Sequence, residues 1–243
     1  MTAAALVLAA TALLAPAPSG AGTSLYRAEL VQAAPGRLLE LIDLEKSLAA
    51  SFGGRGDEAP FAMRHSQGDK WDLLLLYPMG SWGEYYAGDR IARRERWKEA
   101  SRASLEKVRA ATAWQEDVFV RGPAPSVVRE RFAKAGFFHV EMFVALPGRD
   151  ADLYRQREME NAYDRALDLP ENLIFVREAG AAWDLFTIGA YRDLRHYAEG
   201  SAIGEAAQES AAKAAGFESA KAIGPYLRTL IREHHDTLAT AVR

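Results

Sequence analysis

Two short stretches carry acid, base and aromatic side chains at alternate positions: Arg27-Ala-Glu29-Leu-Val31 and His139-Val-Glu141-Met-Phe143. In an extended chain alternate residues share a face. Phe138, Val140, Met142 and Val144 form the unbroken apolar set, suited to lie under helices. That choice directs His139, Glu141, Phe143 and Ala145 to the interior, with Arg27, Glu29, Val31 and Ala33 as their counterparts. A glutamate in an apolar interior has its pKa raised by desolvation, which suits it to carry protons, so Glu141 and His139 are the candidate catalytic pair. The competing reading of the same residues is an internal ion pair, Arg27 with Glu29 or Glu141, that neutralises buried charge.

Trp71 and Trp183 open two matching Trp-Asp-Leu segments and are expected to face the interior with Leu73, Leu75 and Leu185. There they would form aromatic walls for a flat ligand, or simply core. Together with Arg27, Glu29 and Phe143 they make up the candidate ligand-binding set. Asp72 and Asp184 are expected to accept backbone hydrogen bonds at the mouth of a hairpin. The cluster His234-His235-Asp236, beside Glu233, invites a metal reading with His139 and Glu141. Placed at the end of a last helix and the start of an antiparallel strand, Asp236 would stand about six residues from His139, roughly 20 Å away. No metal centre is therefore expected.

The elements that must position these residues follow from a repeat. An offset of 112 pairs Glu29 with Glu141, Pro35-Gly36-Arg37 with Pro147-Gly148-Arg149, Gly68 with Gly180, and Trp71-Asp72-Leu73 with Trp183-Asp184-Leu185. Matches in one ungapped register indicate an internal duplication. Each copy reads as strand, helix, strand, strand, helix, strand. The first strands run from Leu25 to Ala33 and from Phe137 to Ala145, and each leads through Pro-Gly into a helix. Leu38, Leu41, Leu44 and Leu48 give the first helix an apolar stripe. Hairpins follow around Gly68 and Gly180, where a positive φ is wanted. Ser81 with Glu84 reads as a capping box, and Asp193 as the N-cap in the other copy. The closing strands are expected at Asp117 to Arg121 and Thr237 to Arg243, and Ser126 is expected to cap a linker helix. The chain thus divides into residues 1–23, a first repeat over 24–122, a linker over 123–135 and a second repeat over 136–243.

Residues 1–15 are apolar and lead into Pro-, Gly- and Ala-rich chain, the pattern of a signal peptide. The run is too short for a comfortable bilayer span, so the expectation is export, periplasmic or secreted, with no stable membrane span after cleavage. The 243 residues carry 30 basic and 33 acidic side chains without long blocks of one sign, so no nucleic-acid partner is expected. The absence of cysteine excludes disulfides, thiolate metal sites and cysteine nucleophiles. Serine-hydrolase, phosphate-loop and dinucleotide signatures are missing.

A βαββαβ unit is the ferredoxin-like arrangement, an antiparallel sheet in the order 4-1-3-2 with helices on one face. With the duplication and the Trp-Asp-Leu strands, the chain resembles the dimeric α+β barrel superfamily, which includes NIPSNAP proteins and antibiotic-biosynthesis-type monooxygenases. The resemblance implies an α+β fold in which two ferredoxin-like repeats form an intramolecular barrel, as a monomer or a homo-oligomer. In its NIPSNAP-like form it implies a non-catalytic protein that binds a small apolar or aromatic ligand, or a partner. The alternative is a cofactor-independent monooxygenase or isomerase using Glu141 or His139. No cofactor is expected; haem, with His139 as its ligand, is the remaining option. The more polar second copy is expected to hold the site.

Overall fold

The computed structural model describes residues 24–243. The signal-peptide reading falls on residues 1–23, outside the described residues. The first repeat contains β1 (Ser24–Ala33), α1 (Leu38–Ala50), β2 (Phe61–Gln67), β3 (Leu73–Gly80), α2 (Trp82–Tyr85), α3 (Gly88–Ala100), α4 (Arg102–Ala111) and β4 (Thr112–Gly122). A linker helix, α5 (Pro125–Lys134), leads to β5 (Phe137–Ala145), α6 (Asp150–Ala166), β6 (Leu173–Ala179), β7 (Leu185–Tyr191), α7 (Leu194–Ala198), α8 (Glu205–Ala214), α9 (Ile223–Arg228) and β8 (Ile231–Ala241).

Each repeat forms the antiparallel order 4-1-3-2, and the two sheets join at both edges to close an eight-stranded barrel. The joints are β2 with β8 and β4 with β6. Closure gives every strand among the described residues a neighbour on both sides, so each half covers the sheet edges of the other. Two hairpin glycines allow the close approach at the joints. Gly68 has φ +133°, and a Cβ there would lie 2.2 Å from the Asp236 carbonyl oxygen; at Gly180, with φ +86°, it would lie 2.9 Å from that of Asp117.

The caps agree with the sequence pattern at Ser81–Glu84, a full capping box, and at Asp193, which accepts from the His196 N–H. Ser126 is not a cap: Pro125 occupies the first helical position with Ala124 before it, so the linker helix starts on proline's fixed φ instead. The closing strands start earlier than the sequence reading put them. The His234-His235-Asp236 cluster therefore lies within β8 and not at a helix end.

The inward and outward faces of the first strands are the reverse of expectation. Tyr26, Ala28 and Leu30 of β1 and Phe138, Val140 and Met142 of β5 enter the barrel core, with Leu74, Leu76, Val118, Phe175 and Phe186. Val31, Leu73 and Leu75 pack instead under α1 with Leu41 and Leu48, and Phe143 and Leu185 under α6 with Leu153. Both faces of these strands are covered, so alternation alone does not distinguish them. The barrel interior is enclosed on all sides and takes the unbroken apolar set, whereas the helix layer ends in clefts that admit charge. Arg27, Glu29, His139 and Glu141 accordingly lie between sheet and helices, outside the barrel.

Trp71 and Trp183 do join the barrel core, although Leu73, Leu75 and Leu185 do not accompany them. The aspartate in each motif explains the switch. Asp72 donates its N–H to the Val31 carbonyl at 2.8 Å, and its carboxylate accepts the Ala33 N–H at 2.8 Å. Asp184 repeats both contacts with Phe143 and Ala145, at 2.8 and 2.9 Å. Each carboxylate extends the ladder by one acceptor where the strand departs from β1 or β5, and the preceding tryptophan turns across the barrel end.

Candidate functional site

The duplication builds two related clefts on the outer face of the barrel. In the first, Glu29 of β1 is opposite Asp117 of β4; in the second, Glu141 of β5 is opposite Asp236 of β8. Val31 opposite Gln115 corresponds in the same way to Phe143 opposite His234. The first strands keep the 112-residue offset, but the closing strands are 119 apart, from Asp117 to Asp236, because the second repeat has the longer helical section. This drift concealed the correspondence from the sequence alone.

In the first cleft, Arg27 Nη1 bridges the two carboxylates, 3.0 Å from Glu29 and 2.7 Å from Asp117. Its guanidinium lies 4.2 Å from the centre of the Tyr77 ring. Above the sheet, α1, α3 and α4 leave a cavity of about 870 Å³ whose walls include Phe52, Tyr77, Tyr85, Trp97 and Trp114. Phe52 stacks on Tyr77 with centroids 5.8 Å apart and meets Trp97 edge-on at 5.4 Å. The aromatic wall is braced from behind by Asp57, which accepts from Arg55 at 2.7 Å, Arg90 at 2.6 Å and Arg94 at 3.0 Å. Burial would raise the Asp57 pKa, and the three guanidinium groups outweigh that and lower it. Arg90 and Arg94 therefore do more than form the solvated helix face that their sequence neighbours suggest.

Glu45 of α1 also lines this cavity. It makes no ion pair among the described residues, and burial, followed by the neighbouring charge of Glu29, pushes its pKa up to about 7. Glu29 is raised as well, by burial, against the opposing charge of Arg27. Sequence reasoning missed Glu45. The signal was present: it stands four residues after Leu41 and three before Leu48, a lone acid on the apolar stripe.

The second cleft keeps the carboxylates and changes the cations. His139 Nε2 lies 3.0 Å from Asp236 Oδ1, and His234 Nε2 lies 3.3 Å from the same oxygen and 3.4 Å from Glu141 Oε1. The separation of roughly 20 Å expected between His139 and Asp236 is thus overturned, because β8 starts at Ile231 and brings Asp236 opposite Glu141. Glu141 Oε2 accepts from Arg157 of α6 at 3.3 Å and from Thr187 at 3.1 Å. Burial would raise Glu141; His234, Arg157 and His139 outweigh it, so its pKa falls, the opposite direction from that expected of a proton carrier. His234 is raised to about 9, first by its contact with Asp236 and then by Glu141. Arg157 also pairs with Glu160, and its side chain is 2% exposed. Arg157 and its partners fill the space that is open in the first cleft, so the large cavity lies in the first repeat and not in the second.

Among the sequence-nominated residues, the structure brings Arg27 and Glu29 together in one cleft, and His139, Glu141 and Phe143 in the other. Trp71 and Trp183 stand apart from both. They border a smaller cavity of about 470 Å³ at the barrel end, with Leu30 and Met142. Haem finds no imidazole in the large cavity, since no histidine is among its lining residues. His139 lies in the other repeat, where the side chains of Arg157, Glu141 and Glu160 occupy the corresponding space. The residues present do not fit that cofactor.

An eight-stranded α+β barrel closed from two ferredoxin-like repeats, with charged clefts between sheet and helices, defines the dimeric α+β barrel fold within a single chain. Solved structures share it. A crystal structure of an anthrone oxidase-like protein is similar at 11% identity, covering 90% of this chain and 92% of that one, with a TM-score of 0.50. A candidate monooxygenase from Lactobacillus acidophilus NCFM is similar at 8% identity, covering 90% and 94%, with a TM-score of 0.55. Another, from Fusobacterium nucleatum, is similar at 8% identity, covering 91% and 94%, with a TM-score of 0.53. At these identities the likeness is one of fold. No protein-family model and no curated protein matches the sequence.

Proposed function

We propose that the protein is an enzyme that binds a planar, hydroxylated aromatic molecule in the first-repeat cleft and removes a proton from it with Glu45. The observation that carries this reading is an unpaired carboxylate, with its pKa near 7, facing an aromatic-lined cavity of about 870 Å³. A general base works best when its pKa is close to the ambient pH, because it is then substantially ionised while remaining a strong proton acceptor. Arg27, held over Tyr77 and facing the same space, supplies positive charge where the deprotonated ligand would carry its oxyanion.

The monooxygenase alternative of the sequence analysis is favoured over the NIPSNAP-like binding role, and the names of the similar solved structures support it. A carbanion or phenolate of this kind can reduce dioxygen without a cofactor. In the simplest balance a methylene carbon between aromatic rings loses two hydrogens and gains one oxygen atom, while the other oxygen leaves as water. The substrate supplies all the electrons. Glu141 and His139, the pair nominated from sequence, lie in the other cleft and are not part of this reading. Export of the mature chain remains part of the proposal.

The test is oxygen consumption by the purified chain over a panel of anthrones and polyhydroxylated aromatics, with binding followed by quenching of tryptophan fluorescence. Glu45→Gln is expected to bind the active compound and lose turnover by about 100-fold or more. Undiminished turnover in Glu45→Gln would remove Glu45 from the reaction. A panel that neither binds nor turns over would remove the reading.

A further inference from the structure

We propose that His139, His234, Glu141 and Asp236 form a binding site for a divalent transition-metal ion of the zinc class, on the outer face of β5 and β8. The site lies in the repeat opposite the aromatic cleft, so it is independent of the reading above.

Three of the four donors already lie together as a ligand set, and the fourth, His234, touches two of them. One ligating atom each from His139, Glu141 and Asp236 lie within 4.8 Å of one another. His234 Nε2 stands 3.3 Å from Asp236 Oδ1 and 3.4 Å from Glu141 Oε1. Zinc bonds of about 2.0–2.1 Å to nitrogen and oxygen put neighbouring corners of a tetrahedron about 3.3–3.4 Å apart. Two imidazoles and two carboxylates are donors suited to zinc, and two carboxylates balance a double positive charge.

Glu141 is arranged as a metal-bound carboxylate is. Oε2 is occupied by the Thr187 hydroxyl and the Arg157 guanidinium, which fix the group, while Oε1 is turned to His234. Outer partners of this kind orient ligands and tune affinity. Arg157 is thereby engaged on the far oxygen and does not stand among the donors. The ring of His234 is held against Phe143, with centroids 5.0 Å apart and an interplanar angle of 19°.

The first repeat gives the independent support. There the equivalent carboxylates, Glu29 and Asp117, are bridged by one fixed cation, the guanidinium of Arg27 at 3.0 and 2.7 Å. The duplication replaces Arg27 by the shorter His139 and Gln115 by His234. A permanent positive charge between two carboxylates is exchanged for two metal ligands around the same pair.

The experiment is zinc titration of the EDTA-dialysed full chain at constant pH, by calorimetry and by metal analysis after gel filtration. Wild type is expected to retain one zinc per chain. His139→Arg, which copies the arrangement of the first repeat, is expected to stay folded by circular dichroism and to bind at least about 100-fold more weakly. Asp236→Asn, at an exposed side chain, should lose a comparable factor, and Thr187→Val roughly 10- to 100-fold. Wild type that takes up no zinc would overturn the proposal. So would His139→Arg and Asp236→Asn variants that both bind as wild type does, since the ion would then sit elsewhere.

Discussion

Glu45 and Arg157 occupy the same place in the two repeats, the eighth residue of α1 and of α6, and carry opposite charges. Each faces a first-strand glutamate, Glu29 or Glu141. Arg157 satisfies its glutamate and closes the second cleft. Glu45 instead adds a like charge beside its own glutamate, and both carboxyls have their pKa raised, first by burial, while the first cleft stays open. The difference at this one position contributes to separating a space for a ligand from a packed ionic layer.

The burial of Glu45, reinforced by that like charge, has a consequence for stability. A carboxyl whose folded pKa is raised binds its proton more tightly in the native state than in the unfolded chain. Between pH 4.5 and about 7 the native state therefore binds more protons, and stability falls as pH rises through this window. The full shift corresponds to an upper bound of about 3 kcal/mol, reduced by solvent at a half-buried site. Glu45→Gln should flatten the decline by roughly 1–2 kcal/mol, with the difference from wild type larger at pH 8 than at pH 4.5. Urea unfolding at the two pH values checks it; parallel pH profiles would contradict the assignment.

Arg157 should behave differently. Replacing it with Met roughly keeps the volume and takes the shared guanidinium away from buried Glu141, which keeps only its contacts with His234 and Thr187, and from part-buried Glu160. Breaking a buried pair from one side costs about 3–5 kcal/mol. The same change at Arg129, whose partnership with Glu58 is more than half exposed on both sides, should cost under about 1 kcal/mol. Chemical denaturation of the two variants gives the comparison.

The motif shared by the hairpins makes a third case. Asp72 and Asp184 each accept an N–H from the end of the first strand of their own repeat, at Ala33 and Ala145. Asp72→Ala should release the Ala33 amide to faster hydrogen exchange and destabilise by about 1–3 kcal/mol, with Asp184→Ala doing the same at Ala145. Exchange confined to those amides, without change at the barrel core, is the expected signature.

The duplication, the strand and helix order, the Trp-Asp-Leu strands and the caps at Ser81 and Asp193 were legible in sequence because each is a local pattern at fixed spacing. The clefts were not. Which face of β1 and β5 meets the helices depends on two covering layers, and period-2 alternation carries no information about which layer is drier. The partnership of His139 with Asp236 depends on where β8 starts, after a helical section whose length differs between the repeats. Glu45 was hidden in an apolar stripe read for its leucines.

Barrel closure supplies the last prediction. Gly36 and Gly68 both have positive φ, +77° and +133°, but a Cβ at Gly36 meets nothing within 4 Å, whereas at Gly68 it would meet the Asp236 carbonyl and the Thr237 backbone. Gly36→Ala should therefore cost only the backbone strain, about 1 kcal/mol or slightly more. Gly68→Ala adds a clash against β8 at the joint between the two repeats, where neither backbone can yield without opening the barrel. Its cost should exceed that of Gly36→Ala by at least about 2 kcal/mol, with the excess appearing as loss of protection in β2 and β8. Equal destabilisation by the two variants would mean that the hairpin moves independently of β8, and that the joint is weaker than its register implies.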